Sequence, residues 1–246
     1  MQPQQLKTGV RFKRQEISTL LTLVSAEKVI GLSQNLIIEK NSAGYTAFME
    51  GIQSLINSGL MSKKEGTYDI HPSLLLYIAV LSGPEKVISV HHVDAHNQTQ
   101  TWRYYFSQKY LLALKEEQNH QFLLEPLSTY HHLIEHVQSN FRFKLDEVGA
   151  AKTIKIHPNQ LKRLQLFFEA KQLGVIGTIE GMGRLESCGF IDTCTVLPQL
   201  ETSHMLELIA EDEAGALFLL SLNTTKSTLQ SSPLSSKAFG IQLTIV

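Results

Sequence analysis

The sequence lacks the features that would assign it at once to a membrane or to a nucleic acid. Its longest apolar run, Leu74–Leu81, has eight residues, whereas a transmembrane helix needs about 18 or more. Lysine and arginine number 22 against 23 acidic residues, for a net charge of −1. A surface that binds phosphate groups or anionic lipid needs an excess of basic side chains. We therefore predict neither a nucleic-acid nor a membrane partner.

Cysteine is also scarce, with Cys188 and Cys194 the two in the sequence. They lie in a segment that alternates like a β-strand, which would separate them by about 20 Å. A disulfide requires Cα atoms within about 7 Å, so we expect two free, buried thiols in a reducing compartment. The N-terminal residues are polar and then basic, without the apolar segment of a secretion signal. These features predict a cytoplasmic protein.

Helices are predicted where apolar residues recur every three or four positions, over Glu16–Ser25, Asn41–Ser58, Pro72–Leu81 and Tyr130–Gln138, and a fifth is predicted to begin at Pro158. Asn41 or Ser42 can cap the second helix at its N-terminus. Gly59 lies where a left-handed residue ends a helix. Glu65 and Gly66 then form a turn, and we interpret His71 as a residue that caps or packs the turn before Pro72.

Between and after these helices the period of the apolar residues changes to two, which predicts strands. In the first half they cover Val10–Phe12, Val87–Val93, Thr101–Phe106, Tyr110–Leu114 and Gln121–Leu124, where Pro126 ends the series. In the second half they fall near Leu173–Ile179, Ser187–Leu197, Met205–Ala210 and Ala216–Leu222. The serine- and threonine-rich segment Ser221–Lys237 is predicted to be a loop, followed by a last strand over Phe239–Val246.

The second half of the sequence repeats the first. Ile70-His71-Pro72 recurs as Ile156-His157-Pro158, at an offset of 86 residues, and in both halves a helix, a second helix and four strands follow in the same order. This predicts an α+β fold of duplicated helix-helix-four-strand units with pseudo-twofold symmetry, sharing a central antiparallel sheet flanked by helices. The expected halves are residues 1–126 and 127–246.

One motif points to a metal. His132, Glu135 and His136 fit H-x-x-E-H, the pattern of inverzincin zinc peptidases. On a helix the two histidines share a face and can bind one Zn²⁺, and the glutamate can polarise its bound water. Glu211 or Glu213 would have to supply the third ligand. A zinc metallopeptidase is therefore an alternative function, although the segment after the motif differs from that of the peptidases.

A second histidine cluster gives weaker evidence for a metal. His91, His92, Asp94 and His96 cluster at the end of a predicted strand, where such residues are also common in turns.

The helix over Asn41–Ser58 and the turn after it resemble the helix and wing of winged-helix regulators, which gives a DNA-binding protein as a second alternative. Lysine and arginine, which such proteins need at phosphates, are few in that region.

Three segments mark the boundaries between elements in the first half. They are Leu55-Ile-Asn-Ser-Gly-Leu60 at a helix end, Glu65-Gly-Thr-Tyr-Asp-Ile-His-Pro72 before the next helix, and Gly83-Pro84-Glu85-Lys86 before a strand. In these segments, and in the layout of about residues 7–222, the chain resembles the EspG family, the cytosolic chaperones of mycobacterial type VII (ESX) secretion systems. The resemblance implies two quasi-symmetric α/β halves around one central sheet, no catalytic residues and a helical secreted protein as the partner.

We therefore expect a non-enzymatic, cytoplasmic chaperone that binds another protein. No catalytic, cofactor-binding or metal-binding residue is assigned, no cofactor is expected, and the oligomeric state stays open. The aromatic run Trp102, Tyr104, Tyr105 and Phe106 has two sides in a strand. Either one side contacts the partner or helices cover both.

Overall fold

The computed structural model describes residues 9–32, 36–94, 96–108, 110–117, 120–141, 152–155, 158–170, 178–179, 183–196, 202–212, 217–223 and 228–233. The chain divides into two units. Unit 1 consists of Met1–Val87, Trp102–Ser128 and Thr195–Glu201, and unit 2 of Ile88–Thr101, Thr129–Cys194 and Thr202–Val246.

Helices and strands alternate in groups along the chain. In order they are β1 Val10–Lys13, α1 Arg14–Leu23, α2 Ser42–Asn57, β2 Met61–Lys64, β3 Thr67–Ile70, α3 Pro72–Ser82, β4 Lys86–Val93, β5 Thr99–Ser107, β6 Tyr110–Glu117, β7 Gln121–Leu127, α4 Tyr130–Phe141, β8 Lys152–Lys155, α5 Pro158–Ala170, β9 Thr178–Ile179, β10 Gly183–Val196, β11 Thr202–Asp212, β12 Leu217–Asn223 and β13 Thr228–Pro233.

The predicted helix ends of the first half are confirmed by the contacts they make. Asn41 caps α2, because its Oδ1 accepts the backbone N–H of Gly44 at 2.7 Å. Gly59 follows the end of α2 at φ +73°, and its N–H donates to the carbonyl of Ile56 at 3.0 Å. His71 caps α3 through Nδ1, which accepts the N–H of Ser73 at 3.3 Å.

In unit 1 the strand order is β1-β7-β6-β5, and the neighbouring strands pair antiparallel. Strands β2 and β3 form a separate two-stranded hairpin. Its two-residue turn has positive φ at both positions, +48° at Glu65 and +84° at Gly66, the geometry typical of a type I′ turn. The turn predicted there is confirmed.

The core of unit 1 lies between the sheet and the helices. Helix α1 contributes Ile17 and Leu21, and α3 contributes Leu74 and Ile78, all four with no exposed surface. The spacing of four residues within each pair belongs to the periodicity from which the helices were predicted. Strand β1 adds Phe12 from the edge of the sheet.

Unit 2 has the strand order β4-β10-β11-β12-β13-β8. The pairs β11–β12, β12–β13 and β13–β8 are antiparallel, and short β9 pairs antiparallel with the start of β10. Helix α5 packs on this sheet through Phe167, whose ring meets Phe190 of β10 edge-on at 6.2 Å. The α+β class and antiparallel sheets with flanking helices are thus confirmed.

One local prediction is wrong, and one strand boundary differs from the prediction. The segment predicted as a loop over Ser221–Lys237 contains strand β13, whose backbone pairs with β12 on one side and β8 on the other. The strand series does end near Pro126, although β7 continues through the proline to Leu127. The β1 pairing stops at Leu124, so the N–H that proline lacks is not needed by β1. The last predicted strand, Phe239–Val246, lies outside the described residues.

Cys188 and Cys194 both lie in β10 and are buried and unbridged. This confirms the strand and the free thiols predicted from their spacing. Burial raises the pKa of the Cys188 thiol far above its ordinary value, so the thiol is protonated at neutral pH. The thiolate is the reactive form of cysteine, so Cys188 fills space in the core.

Candidate protein-binding surface

The H-x-x-E-H residues lie on α4, where the helix has solvent on one side. His132 is exposed, and the carboxylate of Glu135 lies 3.2 Å from the ring of His131, the preceding histidine. His136 is half-buried and has the side chain of Asn140 beside its ring, with Nδ2 at 3.3 Å from Nδ1. Glu135 therefore contacts a histidine that is not part of the motif.

The third ligand that the zinc alternative needs is engaged elsewhere in unit 2. Glu211 accepts a hydrogen bond from the hydroxyl of Ser187 at 2.6 Å, and Glu213 lies outside the described residues. Within the described ranges, no group of three or more His, Cys, Asp or Glu side chains could hold a metal ion. The geometry gives the zinc-peptidase alternative no support.

The histidines at the end of β4 have structural contacts. His91 is buried, its ring stacks on Phe190 at 4.2 Å, and its Nδ1 lies 2.9 Å from the hydroxyl of Thr101. Asp94 uses its carboxylate to accept the backbone N–H of His96 at 2.9 Å. The cluster is a core contact followed by a tight turn, which is the ordinary role of these residue types at a strand end.

His92 faces a different environment from its neighbour. Its ring is tilted against Phe141 of α4 at 6.0 Å. Burial lowers the pKa of His92 below 6.5, while the negative charges of Glu211 and Asp94 act in the opposite direction. The imidazole is therefore neutral at pH 7.

The hairpin β2–β3 is the wing-like element of the DNA-binding alternative. The ammonium group of Lys63 lies 5.7 Å from the centre of the Tyr68 ring, and that of Lys64 lies 3.5 Å from the carboxylate of Asp69. Both cations thus have partners within the hairpin, and Asp69 offsets one charge. This arrangement gives binding to phosphates no support.

The aromatic run of β5 does not offer a binding surface. Trp102, Tyr104, Tyr105 and Phe106 are all buried. Successive strand residues point to opposite faces of a sheet, so the full burial of both Tyr104 and Tyr105 shows that both faces are covered there. The hydroxyl of Tyr105 donates to the backbone carbonyl of Ile30 at 2.7 Å. The expectation that one side of this run contacts the partner is therefore wrong.

Unit 1 does contain a surface groove, formed by α1, α2 and the segment before α2. We call it the α1–α2 groove. Its volume is about 430 Å³, within the range of binding pockets. It is lined by Arg14, Gln15, Ser18, Ile37, Ile38, Glu39, Asn41, Ala43, Gly44 and Ala47. Small and aliphatic side chains form much of the lining, with charged residues from α1 and from the segment before α2.

The walls of this groove are held by close contacts. A Cβ atom on Gly44 would collide with the backbone carbonyl of Glu39, so the segment before α2 lies directly against the helix. A Cβ atom on Gly51 would collide with the hydroxyl of Thr19, so α1 and α2 also approach closely. The groove is therefore preformed rather than created by a partner.

Helix α2 also exposes apolar surface outside the groove. Tyr45 is 68% exposed and Met49 is 39% exposed. At a spacing of four residues they lie on the same side of the helix. Periodicity identified α2 as amphipathic, but it also counted both residues in the apolar stripe, so this exposure was not predicted.

The fold resembles that of a type VII secretion chaperone. The chain matches the structure of the Mycobacterium tuberculosis type VII secretion system chaperone EspG5 in complex with the PE25–PPE41 dimer, with a TM-score of 0.62. The match covers 95% of this chain and 94% of that chain, at 8% sequence identity. No family model and no curated protein matches the sequence. The EspG-like resemblance predicted from sequence is thus confirmed as a similarity of fold.

None of the helices in the described part of the chain is long and apolar enough to span a membrane.

Proposed function

We propose that this protein is a non-enzymatic, cytoplasmic chaperone that binds a helical protein destined for a type VII-like secretion system. The observation that carries the proposal is the whole-length similarity of fold to EspG5, a protein whose structure contains a bound PE25–PPE41 dimer. Since a fold does not by itself determine a function, the proposal needs a binding surface in this chain.

The α1–α2 groove is the surface that we assign to the client. Its aliphatic residues Ile37 and Ile38 and the small residue Ala47 would accept apolar side chains from one face of a client helix, and Arg14 and Glu39 supply polar contacts. An apolar centre with polar groups around it is the usual composition of a protein interface. Grooves of this kind bind amphipathic helices through apolar residues three or four positions apart.

We also propose that residues 1–126 and 127–246 are copies of one duplicated unit with pseudo-twofold symmetry. The order of elements supports this, because α2 and α3 precede β4, β5, β6 and β7, whereas α4 and α5 precede β10, β11, β12 and β13. Both second helices begin with proline, Pro72 and Pro158. The offset of 86 residues applies to these helix starts and increases at the strands.

The proposed function is tested by purifying the tagged protein, crosslinked in its native host, and identifying the proteins bound to it. We expect a secreted protein with long amphipathic helices. The two proteins, co-expressed, should then form a complex of fixed stoichiometry in size-exclusion chromatography with light scattering. Recovery of no secreted helical protein, or failure of the recovered protein to form a complex, would contradict the proposal.

A further inference from the structure

The exposed face of α5 combines charge and apolar surface. Asn159, Lys162, Arg163 and Leu166 are exposed, and their spacing of three or four residues puts them on one face of the helix. Leu166 is 50% exposed. We call these four residues the α5 face. The opposite side of the helix is buried in unit 2 through Leu164 and Phe167.

The two cations of the α5 face are available to a partner. Among the described residues, neither Lys162 nor Arg163 takes part in an ion pair, a hydrogen bond or a ring contact. Arg11, by contrast, is an exposed cation with an internal partner, the carboxylate of Glu117 at 3.0 Å. Helix α5 contains one acidic residue, Glu169 in its last turn, so Lys162 and Arg163 leave the helix with a net charge of +1.

We propose that the α5 face binds an acidic segment of a partner protein, in which carboxylates lie on both sides of an apolar side chain. The carboxylates would pair with Lys162 and Arg163, and the apolar side chain would cover Leu166. Complementary charge of this kind increases the rate and specificity of association. Burial of the remaining exposed part of Leu166 adds a hydrophobic contribution.

Two other classes of partner fit the α5 face less well. Binding to anionic membranes from an amphipathic helix uses clusters of about four to eight basic residues, whereas this face has Lys162 and Arg163. Single-stranded nucleic acid is bound by basic grooves with aromatic side chains on which the bases stack, and the exposed residues of this face are not aromatic. An acidic protein segment needs neither feature. The inference goes beyond the proposed function, since the groove assigned to the client lies in unit 1.

The test uses a fluorescein-labelled helical peptide in which glutamates flank each leucine, and the same peptide with lysine in place of every glutamate. Fluorescence anisotropy should show binding of the acidic peptide, weakened by salt, and none of the basic one. The double variant Lys162→Glu/Arg163→Glu should lose about tenfold in affinity. Leu166→Ser should lose about fivefold. The matched double variant Lys28→Glu/Lys40→Glu, at exposed positions of unit 1, should bind like the wild type.

Several outcomes would overturn the inference. They are equal binding of the two peptides, no binding of the acidic peptide, and unchanged affinity in the α5 variants whose circular dichroism shows an intact fold. Binding of phosphatidylserine vesicles or of a single-stranded oligonucleotide, abolished by Lys162→Glu/Arg163→Glu when the acidic peptide does not bind, would assign the α5 face to those partners instead. None of these results bears on client binding at the groove, so the two proposals fail separately.

Discussion

The carboxylate of Glu16 accepts a hydrogen bond from the hydroxyl of Ser54 at 2.7 Å, between residues 38 positions apart in the sequence. Both side chains are buried, Glu16 with 3% of its surface exposed. The second carboxylate oxygen accepts the backbone N–H of Lys13 at 2.7 Å, at the start of α1. Glu16 thus accepts a backbone N–H at the start of α1 and also links α1 to α2, the two helices that form the groove.

Removing the Ser54 hydroxyl tests this link. Ser54→Ala leaves one oxygen of a buried carboxylate without its protein donor, and an unsatisfied buried group costs about 1–3 kcal/mol. We expect the free energy of unfolding to fall by that amount in urea titrations. Ser58→Ala is the control, because the Ser58 hydroxyl donates only to the carbonyl of Leu55 at the exposed end of α2. Equal stability of the two variants would show that Glu16 does not depend on Ser54.

Gly51 sets the distance between α1 and α2. In the interior of an ordinary helix, replacing glycine with alanine stabilises by about 0.5–1 kcal/mol. Here the new Cβ would collide with the Thr19 hydroxyl and lie 2.8 Å from the carbonyl of Gln15, so we expect Gly51→Ala to destabilise the protein by about 1–3 kcal/mol.

Two further variants separate this collision from a general effect of mutating α2. Thr19→Ala combined with Gly51→Ala should recover part of the lost stability, because it removes the hydroxyl involved in the collision. Gln53→Ala, at an exposed position of the same helix, should stay within about 0.5 kcal/mol of the wild type. Thermal unfolding of the four proteins gives the comparison. A stabilised Gly51→Ala protein would refute the close approach of the helices.

His92 should make the fold sensitive to acid. Its pKa is lowered by burial, against the influence of Glu211 and Asp94, whereas in the unfolded chain it returns to about 6.5. Between the lowered pKa of the folded state and pH 6.5, the unfolded state binds more protons than the folded state. The contribution of His92 to the free energy of unfolding is therefore complete above pH 6.5 and is lost as the pH falls.

The variant His92→Gln has no imidazole to protonate, so its melting temperature should decrease less between pH 7.5 and pH 5.5 than that of the wild type. His96→Gln provides the comparison, because His96 is exposed in the turn after β4. The same decrease in all three proteins would mean that His92 does not contribute to acid sensitivity.

The elements that the sequence predicted well are those in which one periodicity decides the structure. Helix α1 is an example, because Ile17 and Leu21 lie four residues apart, as on one face of a helix, and both are fully buried. Strand β13 was missed for the opposite reason. Its residues are Thr-Leu-Gln-Ser-Ser-Pro, a composition typical of loops, and it is a strand because β12 and β8 supply hydrogen-bonding partners on both sides.

The binding surfaces depended even more on tertiary contacts. The α1–α2 groove requires the segment before α2 to lie against Gly44, which no local pattern in residues 36–41 indicates. The α5 face could not be predicted either, because the sequence does not distinguish a buried from an exposed leucine. Leu164 and Leu166 are equally apolar, but they are 2% and 50% exposed in the structure. The motif H-x-x-E-H misled because a local pattern places residues on one helix but cannot bring a third ligand to them.

The groove itself is tested by filling it. Ala47 lines the groove and is half-buried, so Ala47→Trp would place an indole in the space assigned to the client's apolar side chains. We expect the affinity of the reconstituted client complex to fall at least about tenfold, as for loss of a central interface contact. Thr46→Trp introduces the same side chain at the adjacent exposed position of α2 and should leave the affinity within about threefold. Isothermal titration calorimetry measures both, and unfolding curves establish that both variants fold. Wild-type affinity in a folded Ala47→Trp protein would place the client elsewhere on the molecule.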